Sequence, residues 1–200
     1  MKTLDLFVVE LKKMLKDTIK TDSGFELYVD SKFKEFDHRI TSGPVVCAPL
    51  KFNTGVKEGD TLYFHHLVVM NEGQVLTGED DHYLVRYDPD YTVNNQAIAY
   101  KCKDSGEIHP LGGWALLEHV EEVDESAQSD VIEVVSLKEV QVTKARVSFM
   151  APWIEELGIG VGDVVGIKKD MDYKIFIDDK AYYRVRSEDL LYVEEEVHND

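Results

Sequence analysis

The stretch Ile159-Gly160-Val161-Gly162-Asp163-Val164-Val165-Gly166-Ile167 decides the fold. It reads as a tight turn that delivers the chain into a buried strand. Glycine reaches backbone angles that other residues avoid, and an aspartate holds a turn by accepting nearby backbone N–H groups. Val164, Val165 and Ile167 then supply the β-branched side chains that strands favour. An echo lies upstream, in Gly55-Val56-Lys57-Glu58-Gly59-Asp60-Thr61-Leu62-Tyr63-Phe64. Two Gly-Asp blocks about 100 residues apart, each followed by apolar residues, mark a unit written twice.

Outward from the second block, Val140, Val142, Ala145, Val147 and Phe149 alternate like strand residues, and Pro152-Trp153-Ile154-Glu155-Glu156-Leu157 is a loop or one helical turn. Residues 173–177, an Asp178-Asp179 turn, and residues 182–185 and 190–193 complete that half. In the first half, Phe25-Glu26-Leu27-Tyr28-Val29 follows the turn-rich Thr21-Asp22-Ser23-Gly24. Residues 31–39 are charged and read as exposed. Pro44-Val45-Val46-Cys47-Ala48-Pro49 reads as a short strand kept from the centre of a sheet by its prolines. Asn71-Glu72-Gly73-Gln74 has hairpin-turn composition, and residues 83–87 and 97–100 are further strands.

The block Leu4-Asp5-Leu6-Phe7-Val8-Val9-Glu10 fits strand or helix, since Leu4, Phe7, Val8, Leu11 and Leu15 also keep helical spacing. Its echo in Leu111-Gly112-Gly113-Trp114-Ala115-Leu116-Leu117-Glu118 selects a strand leading into a loop. Each half then runs strand, loop, strand, Gly-Asp turn, strand, hairpin and closing strand. Many short strands with regular turns point to an all-β fold of small sandwiches or barrels.

The chain has 200 residues, 44% of them hydrophobic, which is enough for real cores. Its 39 acids against 22 bases give a formal charge of −17, which disfavours nucleic acid and anionic membrane as partners. No apolar run approaches the roughly 18 residues that cross a bilayer. The first residues lack the pattern of a secretory signal, so a cytoplasmic location is expected. Cys47 and Cys102 have no metal spacing and read as reduced thiols.

The second half resembles the GroES family of co-chaperonins, which is known in chloroplasts in tandem form. Ile108-His109-Pro110-Leu111-Gly112-Gly113-Trp114 looks like that family's opening strand. Lys144-Ala145-Arg146-Val147 looks like the strand that resumes after its mobile loop. Val161-Gly162-Asp163-Val164-Val165 matches its Gly-Asp block, and Arg184-Val185-Arg186-Ser187-Glu188-Asp189-Leu190-Leu191-Tyr192-Val193 its closing segment. The first half resembles the family less closely, through Thr21 to Leu27 and Lys57-Glu58-Gly59-Asp60. The resemblance implies two tandem GroES-like β-barrels, residues 1–107 and residues 108–200, the latter with an acidic tail. It implies a homo-oligomeric ring that caps a GroEL-type chaperonin and assists the folding of client proteins, with no cofactor and no catalytic residue.

By that resemblance, the docking residues are Gly24, Phe25, Glu26 and Leu27 in the first half, and Val131 and Ile132 in the second. Glu26 stands where the family has an apolar residue. The competing assignment makes both stretches ordinary barrel strands. A related barrel also forms the catalytic domain of zinc-dependent medium-chain dehydrogenases, but neither cysteine has ligand spacing and no dinucleotide-binding glycine motif follows. His65-His66, read as strand, would point to opposite faces and share no ion. Asp80-Asp81 and Asp178-Asp179 read as turn acids. Trp114 and Trp153 read as core or interface anchors.

Overall fold

The computed structural model describes residues 2–16, 18–20, 25–28, 38–69, 75–76, 78–89, 95–120, 143–171 and 173–194. The first half contains β1 (Leu6–Glu10), β2 (Thr18–Lys20), β3 (Glu26–Tyr28), β4 (Ser42–Cys47), β5 (Thr61–Phe64), β6 (Val75–Leu76), β7 (Glu79–Arg86), β8 (Ala97–Lys101) and β9 (Ile108–Pro110). The second contains β10 (Trp114–His119), β11 (Lys144–Met150), β12 (Val164–Ile167), β13 (Tyr173–Ile177), β14 (Lys180–Arg186) and β15 (Leu190–Val193). A single helical turn, α1 (Pro152–Glu155), follows β11, with Pro152 where a missing N–H does no harm. The chain is all-β.

It divides into two compact units, Met1–Trp114 and Ala115–Asp200. Residues 108–110, which the sequence assigns to the second half, pair as β9 with β8 of the first. Tyr100 stacks on His109 there, with ring centroids 5.0 Å apart.

One sheet runs β6-β7-β1-β4-β5-β8-β9 and the other β13-β14-β10-β11-β12-β15. The six strands of the second sheet occur in the same order as the first six of the other. The irregularities coincide as well. The register shifts between Val8 and Val9 against β4, and between Leu116 and Leu117 against β11. It shifts again between Tyr63 and Phe64 against β8, and between Gly166 and Ile167 against β15. Among the described residues the outer strands of neither sheet pair with each other, so the strand orders are open where the sequence predicts closed barrels.

The two Gly-Asp turns match bond for bond. Gly59 N–H donates to Val45 O, and Val45 N–H donates back to Asp60 O, both at 2.8 Å. Gly162 and Val147 make the same pair with Asp163, at 2.8 and 2.9 Å. Lys57 N–H donates to Asp60 Oδ2 at 2.7 Å, and Gly160 N–H to Asp163 Oδ2 at 2.8 Å. Gly59 and Gly162 have φ of 86° and 101°, which only glycine adopts without strain. The turns hold β4 against β5 and β11 against β12. Equivalent positions then fill both cores: Val9 and Leu117, Val45 and Val147, Leu62 and Val165, Phe64 and Ile167.

β1 is a strand, with Phe7, Val8 and Val9 all buried. Such a run means burial on both faces of a sheet.

Four expectations are corrected. Pro44 lies inside a central strand, between β1 and β5. Val45 N–H turns toward β5, so the Pro44 nitrogen faces β1, beyond the last paired position, Val9↔Val45. Its missing donor therefore breaks no ladder. His65 and His66 follow β5 at a 3-10 turn, His66–Val68, and their ring centroids lie 4.3 Å apart, tilted by 31°, instead of diverging. Asp80 and Asp81 belong to β7 and not to a turn. Arg39 is buried, at 7% exposure. The Asp178-Asp179 turn is as expected: both residues have positive φ and join β13 to β14 as a tight hairpin.

Two predictions follow from these contacts. Asp60 also accepts Lys103 N–H at 3.0 Å and is only 1% exposed, whereas Asp163 is half-buried. Hydrogen bonds to charged groups contribute about 1.5–3 kcal/mol each. Asp60→Ala therefore lowers the unfolding free energy by about 3 kcal/mol or more, and Asp163→Ala by roughly half as much. Urea denaturation of both variants checks this, and equal losses would contradict it. In the second unit, Lys180 Nζ lies 2.7 Å from Glu118 Oε2, and Ser148 Oγ donates to Glu118 Oε1. The Lys180 contact first, and the serine second, hold the Glu118 carboxyl below its ordinary range. A carboxylate depressed in the folded state stabilises above its unfolded pKa and loses that contribution as pH falls through the folded one. Glu118→Gln flattens the acid limb of the stability–pH curve, as pH-dependent denaturation would show.

Candidate functional site

Between β1 and β4 the chain leaves the sheet and returns. The matching excursion, between β10 and β11, carries Val131 and Ile132, which lie outside the described residues. The legs of the first excursion are tied into a neck. Lys16 N–H donates to His38 O at 2.6 Å, and Ile40 N–H to Met14 O at 3.0 Å. Leu15 and Arg39 bridge between these bonds. The buried Arg39 lies in this neck. At its base Leu11 N–H donates to Asp81 O at 2.7 Å, which fixes the neck to β7.

Beyond the neck, β2 and β3 pair with each other in a separate two-stranded sheet. Thr18 faces Tyr28, Ile19 faces Leu27, and Lys20 faces Glu26. The local sequence explains the hairpin: β-branched Thr18 and Ile19 precede a Thr-Asp-Ser-Gly cluster of turn formers. Gly24 belongs to that cluster and lies outside the described residues. Phe25 is 70% exposed, Leu27 55% and Tyr28 87%. Among the described residues β3 pairs only with β2 and belongs to neither large sheet.

The register also changes the meaning of Glu26. Successive positions of a strand belong to opposite faces. Position 26 shares a face with its partner position 20, and position 27 with position 19. Of the sequence candidates, Glu26 and Leu27 lie in β3 and Phe25 immediately precedes it. Tyr28 and the partner strand β2 were missed, although the Thr-Ile pair before a turn cluster was a legible sign.

This arrangement leaves apolar side chains exposed. Fully burying a side chain such as Phe or Leu contributes about 1.5–3 kcal/mol. Among the described residues no group of three or more His, Cys, Asp or Glu side chains is placed to hold a metal ion. No helix among them is long and apolar enough to cross a membrane. Cys47 and Cys102 are free thiols. Trp114 is buried, its indole N–H donating to Ala97 O at 3.2 Å, while Trp153 is 41% exposed.

Because the anchors touch solvent, Phe25→Ser combined with Leu27→Ser changes the unfolding free energy by no more than about 0.5 kcal/mol. A thermal scan of the double variant checks this; a large loss would return the residues to a core.

No protein-family model matches the chain, and no curated protein matches its sequence.

Proposed function

We propose that the chain is a lid-type co-chaperonin of the cytoplasm. Two GroES-like β-barrels in tandem build a homo-oligomeric ring, and hairpins projecting from it dock on a GroEL-type chaperonin that folds client proteins. The observation that carries the proposal is the β2–β3 hairpin. It stands apart from the sheet on a tied neck and exposes Phe25, Leu27 and Tyr28.

The energetics suit a lid that must come off. Two anchors contribute about 3–6 kcal/mol at full burial, before the cost of ordering a marginal two-stranded hairpin. That is millimolar binding for one hairpin. Several hairpins on one ring act together and hold firmly, yet release when the partner surface changes. The function asks for no catalytic group and no cofactor. The second unit, closer to the family in sequence, is the ring-builder.

Incubation with a bacterial chaperonin, in ATP, in ADP and without nucleotide, followed by co-sedimentation, tests the proposal. The expected result is a nucleotide-dependent complex that the Phe25→Ser, Leu27→Ser double variant fails to form while its own assembly persists. Assembly without nucleotide-dependent binding to any cognate chaperonin would make the chain an oligomeric β scaffold instead.

A further inference from the structure

The connections that lead into the two Gly-Asp turns align without a gap. Ala48-Pro49-Leu50-Lys51-Phe52-Asn53-Thr54-Gly55-Val56-Lys57-Glu58-Gly59-Asp60 stands against Ala151-Pro152-Trp153-Ile154-Glu155-Glu156-Leu157-Gly158-Ile159-Gly160-Val161-Gly162-Asp163. Each begins with Ala-Pro. Gly55 and Gly158 both have positive φ, of 74° and 81°. The next residues, Val56 and Ile159, are both buried.

In the second unit this connection turns once as α1. Leu157 N–H donates to Ile154 O at 3.0 Å and Gly158 N–H to Glu155 O at 2.9 Å, which carries the turn on to Gly158. Ile154 is fully buried in the core. Residues four apart on a helical turn are neighbours on one face. Trp153 and Leu157 are such a pair, the first partly exposed and the second 61% exposed. Val161, four residues further, lies in the Gly-Asp turn and is 66% exposed.

The fold does not ask for these apolar residues. At the same three places the first repeat has Leu50, Thr54 and Glu58. Thr54 serves its own turn there, its Oγ1 accepting Val56 N–H at 3.3 Å. The charge differs as well. Lys51 and Lys57 have Ile154 and Gly160 as counterparts, while Phe52 and Asn53 have Glu155 and Glu156, both exposed. Arg146 stands at the other end of the connection, where it donates to Gly162 O at 2.6 Å.

The second connection thus joins an apolar row, one indole ring included, to a pair of acids. Ammonium and guanidinium groups are drawn both to carboxylates and to the face of an indole. A helix with apolar and basic side chains on adjoining faces meets all of these groups at once. A second copy of the chain does not: it would bring the same two carboxylates and a formal charge of −17.

We infer that the α1 connection is a docking surface for a basic amphipathic helix of another protein. Trp153, Leu157 and Val161 take its apolar face, and Glu155 and Glu156 take its cations. The surface belongs to the second unit and not to the β2–β3 hairpin, so it goes beyond the lid reading and needs neither ring nor chaperonin.

Tryptophan fluorescence tests this, because the chain has two tryptophans and Trp114 is already buried. The probe is a synthetic peptide of leucine and lysine at helical spacing. Its controls are the same peptide with glutamate for lysine, and a leucine–lysine peptide with the spacing scrambled. The expected result is a saturable blue shift with the probe and with neither control, lost in Trp153→Phe. An acidic chain attracts any cation, so the deciding variant is Leu157→Thr with Val161→Glu, which installs the residues of the first repeat. It adds negative charge yet weakens binding roughly tenfold or more, with the circular dichroism unchanged. Glu155→Gln with Glu156→Gln weakens binding as well, most at low salt. Equal or tighter binding by the Thr–Glu variant would mean charge attraction alone and would overturn the inference. So would a missing shift, a shift with either control, or a shift on concentrating the protein without peptide, which would make the occupant a second copy.

Discussion

One carboxylate in each repeat accepts the backbone N–H three residues before it, and the sheets depend on that bond. Asp60 and Asp163 close the turns that lay β5 along β4 and β12 along β11. Strand side chains alternate with period two, so a slip of one residue at either turn would send its strand's core face to solvent. The glycine at positive φ and the reciprocal bonds with Val45 or Val147 leave no room for that slip. Once these hairpins are set, β1 and β10 add on one side, β8 and β15 on the other.

On this common frame the repeats diverge where the frame leaves freedom. Connections tolerate change because few packed side chains depend on them. The excursion after β1 is gathered by a neck into a hairpin whose apolar residues meet water. The edge at β8 is paired with β9, whereas among the described residues no strand pairs beyond β15. In both places an apolar surface is left without cover inside its own unit, and such surfaces mark contacts with other molecules.

Much of the frame was legible because its signals are local. The Gly-Asp blocks, the alternation of Ala145, Val147 and Phe149, and the Asp178-Asp179 turn each carry their geometry within a few residues. What escaped were features that depend on distant partners. Pro44 reads as an edge residue until β1 is seen to stop pairing at Val9. Arg39 reads as exposed until the neck closes around it.

The sequence by itself therefore determined that this is a duplicated, acidic, all-β chain with a Gly-Asp turn at the middle of each repeat. These are properties of composition and short-range backbone chemistry. Only the tertiary structure decided that the two sheets share one strand order, that β9 completes the first, and that Leu191 is exposed where Ile98 is buried. Burial belongs to the neighbour as much as to the residue: the same kind of apolar side chain is buried in one repeat and exposed in the other.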